Sequence, residues 1–353
     1  MHPVTGRPSI AGMATPLPLM VYLDLNHWYA LGDALAGAPQ NPDHVTALKQ
    51  FQGHVERGEV MFPLSAVHYM ELTENPRAAH RERAADAMAL LSRFVTMAPE
   101  SKILDEELAL ELNRRLGRPA FPKKVAKFGI GVGFAFGEAK RMVLKGITEE
   151  NRQELETRLG MSVSQFEASA NATAEYWVLR GPTATLRSAI PNYDPYVARR
   201  IADAQLADFS VMINTLRTVP DIAKRPMDAI CARQLSFDII DNYTRALMSA
   251  GFMMRTPFHG PTELTDFLTA LPSRKVVTMM HFHYLKDVHR NWTINDLRDI
   301  AALSIAIPYC DAVVTDKKAR DTAVNRAHLD KEFNTPIFSS LTDLTKHLES
   351  TYT

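Results

Sequence analysis

Strand and helix signals alternate at both ends of this chain, and a long helical stretch separates the two ends. The segments 19–25 (LMVYLDL) and 59–64 (EVMFPL) predict strands near the start, and 312–314 and 336–339 predict strands near the end. Helices are predicted beside these strands over 26–31, 43–55, 66–75, 295–305, 317–332 and 341–349. Such alternation is typical of a parallel sheet that is covered by helices.

The middle of the chain has a different pattern, with apolar residues recurring at helical spacing from about Arg77 to Gly251. Helices are predicted at about 77–97, 103–116, 147–159, 163–180, 193–218 and 227–250, and convincing strand signals are missing. We therefore predict one α/β domain divided into residues 19–76 and 261–353, an all-helical insertion over 77–260 and a flexible lead-in over 1–18.

Composition excludes several classes of function. Forty Lys plus Arg balance forty Asp plus Glu among 353 residues, so any site for a polyanion must be local. No apolar run approaches the roughly 18 residues of a membrane span, and the first residues lack the apolar centre of a signal peptide. Two cysteines, Cys231 and Cys310, are too few for a disulfide framework, which favours a reducing, cytoplasmic setting.

Four acidic residues lie at the ends of predicted strands or in the helices beside them. Asp24 and Asp316 follow strands, and open α/β sheets bind ligands outside the carboxyl ends of their strands. Glu71 lies in the helix after the second strand, and Asp299 lies in the helix before the strand that leads to Asp316. Clustered carboxylates repel one another at neutral pH unless cations compensate them, and an all-oxygen donor set favours Mg²⁺ or Mn²⁺.

Three segments resemble the PIN-like family of metal-dependent nucleases. They are VYLDLNHWYAL at 21–31, PLSAVHYMEL at 63–72 and NDLRDIAALSIAIPYCDAVVTD at 295–316. In order, they are similar to the family's opening strand with Asp-x-Asn, its Ser-led helix with one Glu, and its Asp-led helix, strand and Thr-Asp ending. The resemblance covers about residues 19–76 and 272–345. It implies a three-layer α/β/α fold with a parallel central sheet, which the helical segment interrupts.

The resemblance also implies roles for individual residues. The implied metal ligands and catalytic groups are Asp24, Glu71, Asp299 and Asp316. The implied supporting polar groups are Asn26, Ser65 and Thr315. The implied activity is hydrolysis of phosphodiester bonds in mostly single-stranded RNA, and DNA remains open as a substrate. In such an enzyme one or two bound divalent ions would lower the pKa of a bound water, which then attacks the phosphorus as hydroxide.

Basic residues directly after Asp316 are the candidate substrate contacts. Lys317, Lys318 and Arg320 begin a predicted helix, whose first backbone N–H groups also attract phosphate. Two other acids compete for the later ligand positions. Asp296 is expected to be the exposed N-cap of the Asp299 helix, and Asp311 is expected to be a turn or cap residue.

Aromatic and histidine side chains have weaker functional signals. Base stacking is open to Trp28, Tyr29 and Tyr309, but an apolar helical stripe favours core packing for the first two. His68 shares a helix face with Glu71, and a role in orienting that acid is the less favoured interpretation. The histidines at 281, 283 and 289 complete no zinc pattern, and the glycine-rich stretch 128–137 (FGIGVGFAFG) favours close backbone packing.

The leading hypothesis is a cytoplasmic, divalent-metal-dependent endoribonuclease, with toxin, defence and RNA-processing roles all open. The alternative is a non-catalytic PIN-like scaffold whose insertion binds a regulatory protein or a second copy of the chain. A phosphatase for small phosphate esters would use similar acids. Asn26, however, stands where the second acid of an Asp-x-Asp-x-Thr motif would be.

Overall fold

The computed structural model describes residues 17–119, 121–138, 141–182, 185, 189, 194, 196–251, 259–287 and 290–352. The expected lead-in therefore lies outside the described residues except for its last two positions, and His289 lies outside them as well. No helix in these ranges combines the length and the apolar character that a membrane crossing requires.

The strands are short and the helices dominate. The strands are β1 (Leu19–Leu23), β2 (Val60–Met61), β3 (Val95–Met97), β4 (Phe128–Ile130), β5 (Ala312–Val314) and β6 (Ile337–Phe338). The helices of the first half are α1 (Leu25–Leu35), α2 (Asp43–Glu56), α3 (Ala66–Glu74), α4 (Ala78–Ser92), α5 (Glu100–Arg115), α6 (Gly131–Ala135), α7 (Glu149–Leu159) and α8 (Val163–Arg180). The later helices are α9 (Val197–Thr218), α10 (Pro220–Ala223), α11 (Pro226–Arg233), α12 (Ile240–Ser249), α13 (Pro261–Ala270), α14 (Pro272–Lys286), α15 (Ile294–Tyr309), α16 (Lys317–Arg320), α17 (Leu329–Phe333) and α18 (Leu341–Tyr352), with π-helical turns at Gln234–Asp238 and Asp321–Arg326.

A four-stranded parallel sheet joins the two ends of the chain. Its strand order is β2-β1-β5-β6, and every neighbouring pair is parallel. Val21 lies opposite Ala312 and Leu23 lies opposite Val314, so the carboxyl ends of β1 and β5 are in register. The predicted α/β class with a parallel sheet built from both terminal regions is confirmed.

Side chains that alternate along the strands pack into helices on both faces of the sheet. Val21 and Leu23 enter a core cluster with residues of α1, α2, α4 and α18. Tyr22 enters a second cluster with residues of α14 and α15, together with Val313. Because successive residues of a strand point to opposite faces, the sheet lies between two layers of helices.

The expectation of an all-helical segment over 77–260 is wrong at two strands. The predicted helix 77–97 ends at Ser92, since Arg93 and Phe94 take left-handed backbone angles, with φ of 47° and 61°. The chain then forms β3, which pairs antiparallel with β4. Leu64, which follows β2, forms an isolated parallel β-bridge with Thr96 of β3. Strands of three residues are too short to leave a period-two pattern that competes with the helical one.

Helix α4 belongs to the core of the α/β domain, although it follows residue 77. Ala84, Ala87 and Met88 are fully buried in the same cluster as β1 and α1. The approach of α1 to α4 is very close at Gly32, where a Cβ atom would lie 2.6 Å from the backbone of Arg83. The glycine therefore permits backbone contact between the two helices.

The glycine-rich stretch is a packing element, in agreement with the sequence interpretation. A Cβ atom on Gly129 would lie 2.4 Å from the ring of Phe134, and Gly131 takes a φ of +87° where β4 turns into α6. The carboxylate of Glu175 accepts a hydrogen bond from the backbone N–H of Val132 at 2.8 Å. Glu175 of α8 thus packs directly against the backbone of this stretch.

Substituting Gly32→Ala is expected to lower the free energy of unfolding by about 1–3 kcal/mol, because the added methyl group must push α1 away from the backbone of α4. The matched control is Gly53→Ala in α2, where the methyl group would meet only the flexible end of Arg57 at 3.1 Å. That control is expected to be neutral or slightly stabilising, since alanine favours helix. Urea unfolding measures both, and equal effects of the two substitutions would contradict the packing argument.

Candidate metal centre

Three of the four predicted acids converge at the carboxyl end of the sheet. Asp24 directly follows β1, Asp316 lies two residues after β5, and Asp299 lies in α15. Each offers one carboxylate oxygen, and these oxygens all lie within 4.8 Å of one another. All the donors are hard oxygen atoms, so the cluster fits Mg²⁺ or Mn²⁺ better than a softer metal.

Asp24 is held in place by the backbone at the start of α1. Its N–H donates to the carbonyl of Val314 at 2.9 Å, which continues the pairing of β1 with β5. Its carboxylate accepts a hydrogen bond from the N–H of Leu25 at 2.7 Å, as an N-cap residue does. Asp24 is only 8% exposed. The carboxylate therefore has a defined position before any ligand binds.

The residue before Asp24 is anchored by two side chains from different helices. The carbonyl of Leu23 accepts hydrogen bonds from Trp28 Nε1 at 3.1 Å and from His68 Nε2 at 2.8 Å. His68 Nδ1 in turn accepts from the N–H of Ser65 at 3.0 Å, so the imidazole is neutral with its proton on Nε2. Burial lowers the pKa of His68 to about 4. His68 therefore positions β1 and lies too deep to contact a phosphate.

Asp316 has two functions at once, because it caps α16 and faces the other acids. Its Oδ1 accepts hydrogen bonds from the N–H groups of Lys318 at 2.5 Å and of Ala319 at 3.0 Å. The expectation that N–H groups at this helix start attract phosphate is therefore wrong for Lys318 and Ala319, whose N–H groups Asp316 already binds.

Glu71 lies beside the three aspartates and contacts a buried arginine. Its Oε1 is 3.9 Å from Arg298 Nη1. Arg298 also donates two hydrogen bonds to Glu74, from Nη1 at 3.0 Å and from Nη2 at 2.5 Å. Such a two-pronged pair fixes the guanidinium in one orientation. Glu71 is therefore close to the cluster of aspartates without being one of the three acids that converge within 4.8 Å.

Burial and mutual repulsion disfavour the charged forms of these acids. Burial, and then Asp24 and Asp316, raise the pKa of Asp299 to about 9. Burial, and then Asp24, raise the pKa of Glu71 to about 7, although Arg298 opposes this shift. Burial raises the pKa of Asp24 to about 6, against the hydrogen bond from Leu25. A divalent cation would replace the protons that these shifts favour.

The acids line an open cavity of about 670 Å³ that carries an excess of negative charge. The acidic lining residues are Asp24, Glu71, Glu74, Asp296, Asp299 and Asp316. The basic lining residues are Arg199, Arg298, Lys317 and Lys318. With every group ionised, two negative charges are in excess, which is the charge that one divalent cation neutralises.

Only some of the other predicted site residues line this cavity. Asn26 is exposed and lines the cavity, as do Lys317 and Lys318. Ser65 and Thr315 are buried and do not line it; Ser65 caps α3 through the N–H of His68. Arg320 does not line it either, because its Nε donates to the carbonyl of Ile337 at 3.0 Å.

The two competing aspartates have structural roles. Asp311 lies at the opposite, amino end of β5 and accepts a hydrogen bond from the N–H of Met20 at 2.8 Å. The N-cap of α15 is Thr293, and Asp296 lies three residues later, where it accepts from the N–H of Thr293 at 2.7 Å. Asp296 was expected to be the exposed cap, which is wrong: its side chain is 14% exposed and forms an ion pair with Arg290.

Of the three aromatic candidates for base stacking, one lines the cavity. Trp28 is fully buried in the core, as the helical stripe predicts. Tyr29 lines the cavity, stacks on His80 with ring centroids 4.0 Å apart, and accepts a hydrogen bond from Asn75 at 2.7 Å. Tyr309 donates to Glu107 at 2.5 Å, and the cavity lining does not include it.

Several residues of the cavity were not predicted from the sequence. Glu74 follows Glu71 by three positions, so helical spacing alone places both on one face of α3. Arg298 lies in the same helix as Asp296 and directly precedes Asp299, so the sequence already places it close to the predicted acids. Arg199 belongs to the segment between the two halves of the α/β domain, and no local pattern connects it with the acids.

No family model, curated protein or solved structure matches the chain. A functional inference for this protein therefore depends on the geometry and the charge of its site.

The free energy of unfolding of the metal-free protein is expected to fall as the pH rises from about 7 to about 9, a range in which the buried His68, whose lowered pKa has the opposite effect, is neutral in both the folded and the unfolded chain. Asp24, Glu71 and Asp299 have folded-state pKa values of about 6, 7 and 9, above their ordinary values. The folded chain therefore holds protons that the unfolded chain has already released, and this preference is lost as the pH rises through the folded-state pKa values. Urea unfolding in EDTA at several pH values measures the slope.

An Asp299→Asn variant is expected to show a smaller fall, because one of the buried acids no longer ionises. Added Mn²⁺ is expected to stabilise the unsubstituted protein more at pH 8 than at pH 5. A free energy of unfolding that stays constant or rises over this range would contradict the described charge cluster.

Proposed function

We propose that the chain is a divalent-metal-dependent endoribonuclease of the PIN-like type that cleaves mostly single-stranded RNA. The observation that supports this most is the approach of Asp24, Asp299 and Asp316 within 4.8 Å at the carboxyl end of a parallel sheet. Buried carboxylates at this distance are costly unless a cation compensates them. The arrangement therefore favours a metal site over a set of ordinary caps and ion pairs.

In this proposal the three aspartates hold Mg²⁺ or Mn²⁺, with Glu71 as the fourth acid beside them. When bound, such an ion would supply an activated water and would neutralise charge on the phosphate oxygens. Arg298 holds Glu74 and lies near Glu71, so it limits the repulsion that the extra carboxylates would otherwise add. Asp24 needs no rearrangement to act, since the hydrogen bond from Leu25 already orients it.

Basic side chains around the cavity would bind the phosphates next to the cleaved bond. Lys317 and Lys318 lie on one side, immediately after Asp316, and both are exposed. Arg199 reaches the cavity from α9, and its ion pair among the described residues is a long one, 3.8 Å to Asp203. The helical segment would in this way contribute one cation to a site that is otherwise built from the two halves of the α/β domain.

Substituting Asp24→Asn is expected to reduce Mn²⁺-dependent cleavage of single-stranded RNA by at least about 100-fold, because the cluster loses a charged ligand. The matched control is Asp311→Asn, which changes an aspartate at the other end of the sheet and keeps an oxygen for the hydrogen bond from Met20. Cleavage of a labelled oligonucleotide is measured, and circular dichroism checks the fold. Full metal-dependent activity in Asp24→Asn would contradict the proposed ligand set.

Substituting Arg199→Ala is expected to reduce kcat/KM for RNA by about tenfold, since one charge-assisted contact with phosphate is lost. Arg200→Ala is the control: the neighbouring arginine is similarly exposed and pairs with Asp194 at 2.5 Å, and it does not line the cavity. Its removal is expected to change kcat/KM by less than about twofold. Mn²⁺ affinity, measured by calorimetry, should be similar in both variants; equal kinetics in the two would remove Arg199 from the substrate site.

The alternative of a non-catalytic scaffold is favoured by one observation on the helical segment. Val211 and Phe237 are 69% and 75% exposed and line one cavity of about 440 Å³ together with apolar side chains such as Leu216, and a contiguous exposed apolar patch is typical of surfaces that bind another protein. Calorimetric titration with Mn²⁺ separates the two functions. A nuclease is expected to bind the ion saturably, whereas a scaffold whose acids stay protonated is expected to show no saturable binding.

A further inference from the structure

A second cavity, of about 660 Å³, lies directly beside the metal centre. It shares three lining residues with the first cavity, namely Asp296, Lys317 and Lys318. The two cavities therefore meet along these side chains. A polymer bound in the first cavity could therefore extend directly into the second cavity.

The lining of the second cavity differs from that of the metal centre in charge. Four basic side chains face three acids, whereas acids outnumber basic groups in the first cavity. Two of the three acids are paired within the cavity, Asp296 with Arg290 and Asp321 with Arg326. Among the described residues, Lys317 and Lys318 form no ion pair. The second cavity therefore offers cations to an anionic ligand without a metal ion.

One of these basic groups is already fixed in position. The guanidinium of Arg290 lies over the ring of Tyr284, 3.4 Å from its centroid, and pairs with Asp296. Its side chain is 15% exposed. Little rotamer entropy remains for Arg290 to lose on binding a ligand. Arg326 is half exposed and pairs with Asp321 at 3.1 Å.

Every described side chain that lines the second cavity is polar or charged. Asn291 and Thr322 add uncharged donors and acceptors to the ionic groups. Among the residues that the structure describes, the lining includes no aromatic ring and no aliphatic side chain on which a base would stack. Such a surface suits the phosphates and hydroxyl groups of a nucleic-acid backbone, and it discriminates little between bases.

We infer that the second cavity binds the sugar-phosphate backbone of the substrate strand on one side of the cleaved bond, through Arg290, Arg326 and the two shared lysines. The inference rests on the proposed function and adds to it a binding site for phosphates that are not themselves cleaved. The strand passes from the metal centre over Lys317 and Lys318 into this second cavity. Longer substrates are bound better than short ones for this reason.

The test compares two RNA substrates in Mn²⁺, a dinucleotide and an oligonucleotide of about 12 nucleotides of the same repeated sequence. In the unsubstituted protein, kcat/KM is expected to be higher for the longer substrate. Substituting Arg326→Ala is expected to reduce the ratio of the two kcat/KM values about tenfold, since one phosphate contact is lost. The salt dependence of kcat/KM for the longer substrate should also become shallower, by a slope of about 1.

The matched control is Arg158→Ala. Arg158 is an exposed arginine of α7 that pairs with Glu154 at 2.7 Å, and it lines neither cavity. Removing the Arg158 side chain is expected to leave unchanged both the ratio of the two kcat/KM values and the salt dependence of kcat/KM for the longer substrate. A folded wild-type protein that cleaves neither substrate would overturn the proposed function itself. Cleavage of both substrates with equal kcat/KM, or an Arg326→Ala variant that matches Arg158→Ala, would overturn only the second binding site.

Discussion

The parallel pairing of β1 with β5 is the interaction on which the site depends. It joins a strand from the start of the chain to one near its end, and it brings the residues that follow both strands to one edge. The hydrogen bond from the N–H of Asp24 to the carbonyl of Val314 extends this pairing by one residue and places Asp24 next to the turn that carries Asp316. The intervening chain is long, but the entropy of closing a loop grows only slowly with its length.

The same pairing has an electrostatic cost, because it gathers carboxylates in a partly buried space. The protein lowers this cost with its own groups: Arg298 holds Glu74 and lies near Glu71, and the N–H groups of Leu25, Lys318 and Ala319 bind the two acids that cap helices. Among the described residues, no group donates a hydrogen bond to the Asp299 carboxylate, and burial with the neighbouring acids raises its pKa to about 9, further than that of Asp24 or Glu71. Folding stability and cation binding are therefore linked through this residue in particular.

Sequence patterns were sufficient for the strands of the four-stranded sheet and for the edge at which the acids meet. Asp24 and Asp316 follow apolar runs, and the topology of parallel sheets places such residues together. Asp299 required the position of a helix as well, which its apolar spacing predicts, although the N-cap is Thr293 and not Asp296. Arg199 was beyond reach, because its approach to the cavity depends on how α9 packs, and that is set by contacts distant in sequence. The strands β3 and β4 were missed because three residues are too few to show an alternating pattern. The hydrogen bonds from Lys318 and Ala319 to Asp316 were missed because they depend on the orientation of the Asp316 side chain, which the sequence does not specify.

The double anchor on the carbonyl of Leu23 has a consequence for measurements on this site. Trp28 carries no ionisable group, and the pKa of His68, about 4, lies below those of Asp24, Glu71 and Asp299. Between about pH 5 and 9 the backbone that presents Asp24 is thus a constant frame while the acids around it change their ionisation. A binding isotherm recorded across that range reports changes of charge around the site, without a contribution from protonation of the two side chains that anchor this carbonyl.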